Sequence, residues 1–445
     1  MGFCVKEIGF AVVIMLCPFL FGNTMCYPSP TAPEIQARHN LDSESFAWSF
    51  YNSISALFAI AGPFAATGYF KLFHNSRKKA VFLNSCFGIA FWLLNCLTKT
   101  SIYAGIVMRA FLGVIMGAYS SMAPLYLVEI APEGSSGFFG CLNQAGVVLG
   151  MIFFDFIGPS LTYMSLNYVA AATSALLAGL IWIVKESPAV EHPTEEKPLA
   201  EGEKKEKVSI WQKKYAFGLI SGILMMLFQQ FCGVNAILTN LADIMNKSGL
   251  ELDGNYQGGI ASIAQLIAVF ISALIIDKIG RKITWIISCS MVIVFMFIFA
   301  LNTKYDWSNI LPLVCIFLYQ LGFGLGLGPI PWFIIPEYFD AEVRAPANTI
   351  VVSANWIFAF IIIFVWPYMN KGMGMFGSLI FFTCIAIAGL LFGIFCIHDK
   401  KNDDAINDDK DDGNKIESFY NNDDDEELTK EEKEEQEAMK EKETL

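Results

Sequence analysis

The sequence predicts an all-α membrane protein of twelve transmembrane helices arranged as two six-helix bundles. Three observations carry this. Of the 445 residues, 55% are hydrophobic, and apolar runs recur that are long enough to cross a hydrocarbon layer about 30 Å thick. None of these runs alternates apolar with polar residues, as the strands of a membrane barrel do. A charged stretch without apolar periodicity, residues 185–214, divides the runs six and six, and turn motifs repeat across it at an offset of roughly 200 residues.

In chain order, the first run is 10–26, which follows Lys6 and has the outline of a secretory leader. Residues 27–45 read as a polar, proline-containing loop. Spans follow at 46–70, 80–97, 102–127, 138–156 and 163–184, closing a first bundle over 1–184. The linker 185–214 is cytosolic on this reading. The second bundle, 215–398, contains runs at 215–238, 258–276, 283–301, 310–335, 350–369 and 375–397. Lysine and arginine concentrate in the loops that lie on one side of this count, among them Arg77, Lys78, Lys79, Lys278, Arg281, Lys282 and Arg344. Basic loops stay in the cytosol, so both termini are placed there.

The net charge of −12 belongs to the tail, since residues 402–445 hold 19 acids and 6 bases. The tail 399–445 is too polar to bury a core. It is expected to be solvated, with a cytosolic partner as the alternative. A basic nucleic-acid surface is absent. The 11 cysteines lie mostly inside apolar runs, and the four histidines fall in loops or span ends. Neither pattern makes a metal centre. No cofactor, metal or catalytic group is expected, and the chain is not read as an enzyme.

The run 321–339, LGFGLGLGPIPWFIIPEYF, is apolar yet carries four glycines and three prolines, among them Pro329 and Pro331. Proline removes an amide donor and clashes with the preceding turn. Carbonyls freed in this way are tolerated at membrane depth only against protein or a wet cavity. This predicts a broken helix lining a polar pathway, the usual place of a transporter's substrate; the plainer reading is a kinked structural helix. Polar groups at depth point to the same pathway. Gln229, Gln230 and Asn235 crowd the seventh span, with Gly233 able to unwind the turn between them. Gln144 and Gln265 are lone amides in the fifth and eighth spans, Asn355 and Trp356 lie in the eleventh, and Trp332 in the broken tenth. Amides both donate and accept, which suits a neutral polyhydroxyl ligand, while an aromatic face suits the apolar side of a sugar ring. Interhelical amide bonding and ordinary aromatic packing are the structural alternatives.

Arg109 and Asp155 are each 23 positions from Pro132. On adjacent antiparallel helices they reach one depth and are expected to pair, with proton uptake by Asp155 as the sharper possibility. The repeated turns, Ser76-Arg77-Lys78 with Glu129 and Gly280-Arg281-Lys282 with Glu337 and Arg344, mark either topology alone or a charge latch between bundles that breaks when the inside opens.

Six stretches together resemble the sugar porter family of the major facilitator superfamily, especially its facilitative hexose transporters. They are RAFLGVIMGAYSSMAPLYLVEIAP (109–132), GFFGCLNQAGVVLGM (137–151), QQFCGVNAI (229–237), DKIGRK (277–282), GLGPIPWFIIPEYF (326–339) and SANW (353–356). The resemblance implies the major facilitator fold and assigns sugar binding to Gln144, Gln229, Gln230, Asn235, Gln265, Trp332, Asn355 and Trp356. Phe21-Gly22 resembles the family's first-span start, which favours a retained span over a leader. The chain departs from the family pattern at Ser76, Ser136, Thr239-Asn240 and Gly324, in the linker after Glu186-Ser187-Pro188, and in lacking the terminal PETKG. Proton-coupled members carry an acid in the first span, and 10–26 has none. The expectation is therefore facilitated diffusion of a neutral monosaccharide, glucose-like, across the plasma membrane, in contact with membrane lipid. Proton symport through Asp155 and a nutrient sensor signalling through the tail are the alternatives.

Overall fold

The computed structural model describes residues 5–43, 45–132, 134–191, 209–246, 252–339 and 341–397. The central part of the linker and the acidic tail, with its proposed partner, lie outside the described residues.

Among the described residues, eleven helices are long and apolar enough to cross a membrane. The last, Pro346–Cys396, runs 51 residues, which at about 1.5 Å per residue is more than twice the thickness of a bilayer's oil layer. It is two spans: at Gly374 the backbone leaves helical geometry, with φ 69° and ψ 171°, a left-handed φ that favours glycine. The twelve expected spans are thus present, with this break inside the gap between 369 and 375.

The first span differs from the expectation. Helix continues through residues read as a polar loop, so that Lys6–His39 forms one long stretch. The prolines misdirect here. Pro28 opens the segment Pro28–His39 at its first position, where a helix has no use for the missing N–H. The helix ends only at Asn40, which takes the left-handed conformation.

Within the first half, the second and fourth spans pack backbone against backbone. A Cβ on Gly117 would lie 2.2 Å from the Ala59 carbonyl oxygen, and one on Gly62 2.2 Å from the Gly117 carbonyl carbon. The fifth and eighth spans, Ser136–Ser160 and Gly254–Ile279, face each other across the two halves.

The halves touch at both ends of this seam. Toward the charged turns the contacts are polar: Asn348 Nδ2 donates to Ser121 Oγ at 3.1 Å, Thr67 and Thr349 hydroxyls meet at 3.3 Å, and Ser353 Oγ donates to the Ile60 carbonyl at 3.3 Å. Toward the opposite end they are largely aromatic, with Phe46 against Phe364 and Phe156 against Tyr256.

Candidate functional site

Two helices of the second half are broken, and each helps repair the other. The seventh span runs Lys213–Phe231, stops at Gly233 with φ 94°, and resumes as Val234–Leu238. The tenth runs Leu311–Leu325, leaves helical geometry at Gly326, and resumes at Ile330 behind Pro329 and Pro331. Pro331 has no N–H to give the Leu327 carbonyl, and the Trp332 N–H bonds Pro329 instead of Gly328. Gln229 Nε2 donates to both orphaned carbonyls, Leu327 and Gly328, at 2.8 Å each. In return Tyr319, on the tenth span, donates its hydroxyl to the Cys232 carbonyl at the break in the seventh, at 3.3 Å. In oil an unmet backbone carbonyl costs several kcal/mol, so the Gln229 amide nitrogen is committed to the scaffold.

Beside these breaks lies a cavity of about 410 Å³, its mouth included. From the first half come Phe21, Met25, Gln144, Val147 and Met151; from the second come Gln229, Gln230, Val234, Asn235, Leu238, Gln265, Phe323 and Trp332. Every lining residue is uncharged. Gly233 does what its position suggests: the turn between Gln230 and Asn235 is unwound, and both reach one cavity. Asn235 Nδ2 donates to Gln230 Oε1, and Gln230 Nε2 donates to Asn355 Oδ1 at 2.7 Å. Gln265 Oε1 and Asn355 Nδ2 are buried without hydrogen-bond partners, so each retains capacity for another polar group.

Six of the eight expected binding residues therefore line the cavity, and two stand behind it. Asn355 and Trp356 are fully buried. Asn355 meets the cavity through Gln230, and Trp356 spends its indole N–H on Ser120 Oγ across the seam at 3.0 Å. Phe21 sits edge-on to both tryptophans, with centroids 6.2 Å from Trp332 and 5.2 Å from Trp356. The apolar lining, Phe21, Met25, Val147, Met151, Val234, Leu238 and Phe323, escaped the sequence reading. In a run where almost every residue is apolar, nothing local distinguishes a wall from a lipid face.

The expected pairing of Arg109 with Asp155 is not formed. Asp155 accepts from the Cys26 thiol at 2.9 Å, while Arg109 Nε donates to the Tyr51 carbonyl at 3.0 Å. An equal count from the turn does not fix which way two side chains face.

Among the described residues, the charged turns form ion pairs inside their own halves. Arg77 and Glu129 form a two-pronged pair, at 2.9 Å through Nε and 2.8 Å through Nη2, but both belong to the first half. Arg281 pairs with Asp277 four residues earlier, at 3.1 Å, within the second half. Across the seam here, the Phe138 backbone N–H donates to Asp277 Oδ2 at 3.2 Å. Ser76, the departure from the family's glycine, caps the third span and donates to Glu186 Oε2 at 2.6 Å. Arg344 Nη2 reaches the Phe339 carbonyl at 3.4 Å. The Glu337 side chain lies outside the described residues.

Comparison with known proteins agrees with this fold. A profile for the family described as Sugar (and other) transporter covers residues 10–406. The facilitated trehalose transporter Tret1 of Bombyx mori is 26% identical, covering 85% of this chain and 81% of its own. The sugar transporter ERD6-like 6 of Arabidopsis thaliana is 27% identical, over 79% of each chain. Among solved structures, the proton:xylose symporter XylE bound to 6-bromo-6-deoxy-D-glucose superposes with a TM-score of 0.72 at 19% identity, over 87% of this chain and 95% of that one. XylE from E. coli in a partially occluded inward open conformation gives the same score, over 89% and 99%. With its twelve spans in the major facilitator fold, the chain belongs to the sugar (and other) transporter family.

Proposed function

We propose that the protein carries a neutral monosaccharide, a hexose, across the plasma membrane by alternating access and facilitated diffusion, with both termini in the cytosol. The observation that carries this is the cavity's chemistry. Gln144, Gln229, Gln230, Asn235 and Gln265 present amides from both halves to one space, Trp332 adds an aromatic face, and no lining residue is charged. Hydroxyls both donate and accept, and so do amides; a charged solute would lose its hydration against walls with no counter-charge.

Alternating access then requires each end of the seam to open in turn. Opening toward the charged turns parts Asn348 from Ser121 and Phe138 from Asp277, while Arg77–Glu129 and Arg281–Asp277 travel intact with their own halves. The breaks at Gly233 and around Pro329 and Pro331 let the second half bend beside the sugar.

Proton symport is the second reading. Asp155 is favoured for it as a buried acid whose one hydrogen-bond partner is a thiol. Proteoliposome flux of radiolabelled glucose separates the two. A facilitator equilibrates the sugar whether or not a pH gradient is imposed, and Asp155→Asn still equilibrates it. Accumulation above the outside concentration, driven by the gradient and lost in Asp155→Asn, would establish symport instead.

A further inference from the structure

Hydrogen bonds have a direction, and in the seventh span one fixed point sets it for its neighbours. Backbone carbonyls only accept. Gln229 meets two of them, Leu327 and Gly328, at 2.8 Å each. The end of its amide turned to the broken tenth span must therefore be the nitrogen. Both amide hydrogens are committed there, and Oε1 is all that Gln229 can offer a ligand. Gln230 follows from Gln229. The near end of its amide lies 3.5 Å from Gln229 Oε1. An oxygen in that place would repel another oxygen, so the near end is again nitrogen. The same nitrogen donates to Asn355 Oδ1 at 2.7 Å. Gln230 Oε1 accepts from Asn235 Nδ2 and, having two lone pairs, keeps one.

One wall of the cavity is thereby polarised. Gln229 and Gln230 both line it, and both direct their amide hydrogens at protein. Each retains acceptor capacity alone. Gln144 and Gln265 line the same cavity from the fifth and eighth spans as whole amides, able to give as well as take. A polyhydroxyl ligand in this space thus meets two kinds of amide, which its composition by residue type does not reveal.

We infer that the Gln229–Gln230 wall accepts hydrogen bonds and gives none, so that each substrate hydroxyl seated against it must be the donor. This rests on the sugar-transport reading and adds to it the direction in which hydroxyls are read. Its cause lies outside the ligand's reach. The carbonyls orphaned around Pro331 hold the Gln229 nitrogen, and Gln229 in turn orients Gln230. A substituent that matches a hydroxyl in size but carries no hydrogen is rejected at this wall, however well it fits. Carbon-bound fluorine is such a substituent, since it is close to a hydroxyl in size and at most a weak acceptor.

Competition against radiolabelled glucose entry into proteoliposomes tests this, with monodeoxy and monofluoro glucoses taken as pairs at each hydroxyl position. The expected result is at least one position where the deoxy and the fluoro sugar are equally poor, each roughly tenfold or more weaker than glucose. At that position fluorine does not rescue the lost hydroxyl. Gln230→Leu, which removes one acceptor, should bring glucose down to the level of its deoxy and fluoro partners at one such position. The wild-type series decides the matter by itself if the variant fails to fold. Fluorine restoring glucose-like competition wherever deletion weakens it would overturn the inference and leave the sugar reading standing. So would hydroxyl deletion that weakens competition nowhere, or ratios unchanged at every position in Gln230→Leu. Failure of unlabelled glucose itself to compete would be a different result, removing the hexose reading and this inference with it.

Discussion

Gln230 holds the centre of the polar seam, accepting from Asn235 and donating to Asn355. Its amide faces the cavity while bonding both Asn235 and the buried Asn355, so truncation acts twice. Gln230→Ala removes one hydrogen bond to a sugar hydroxyl, worth roughly 1–3 kcal/mol where the partner is left unpaired, and strands Asn355 Oδ1. The expected outcome is a ten- to hundredfold weaker half-saturation for glucose in uptake by a hexose-transport-null cell. Unchanged half-saturation would remove Gln230 from the site. Gln229 presents a different case despite its neighbouring position. Its amide nitrogen holds the Leu327 and Gly328 carbonyls, so its substitution reports on the broken helix as much as on the sugar.

Among the elements, the two broken spans matter most. Gly233 takes a φ of 94° and packs against Phe382, whose ring would lie 2.4 Å from an added Cβ. Both the backbone and the neighbouring ring oppose a side chain. Gly233→Ala should therefore cost about 1–3 kcal/mol, read as a lowered unfolding midpoint in detergent, with slowed transport beside it. A midpoint equal to wild type would mean that the break is not held at this residue. Both breaks were legible from the sequence because glycine and proline act locally: the PIP run cannot complete a helix in any surroundings. The same residues misled at Pro28–His39, where Pro28 at the helix start is harmless, Pro33 is accommodated inside the helix, and Ile35 is buried in the core. Arg109 and Asp155 show the complementary limit. Their register follows from counting residues, but their partners, Tyr51 and Cys26, depend on how each helix is rotated about its axis, which tertiary packing decides.

At the scale of the whole molecule, the six-and-six division and the matching turns were readable because hydropathy and charge are written along the chain. The seam was less so. Of the amides expected to converge, Gln144, Gln229, Gln230, Asn235 and Gln265 do line one cavity, since a polar side chain in oil has few other places to go. Trp356 went instead to Ser120 across the seam, because an indole N–H needs only one acceptor and found it in protein. Among the described residues, the charged turns, predicted either to latch the halves or merely to set topology, pair Arg77 with Glu129 and Arg281 with Asp277 inside their own halves, while the Phe138 N–H, neutral hydrogen bonds and aromatic contacts cross the seam. Its cavity, walled by uncharged groups, should discriminate by charge before shape. The most direct measurement is competition for radiolabelled glucose entry into proteoliposomes by unlabelled glucose, glucosamine and glucuronate at neutral pH. The account predicts saturable entry, strong competition by glucose, and at least a tenfold weaker effect of either charged analogue. Equal or stronger competition by a charged sugar, or no glucose entry at all, would contradict it.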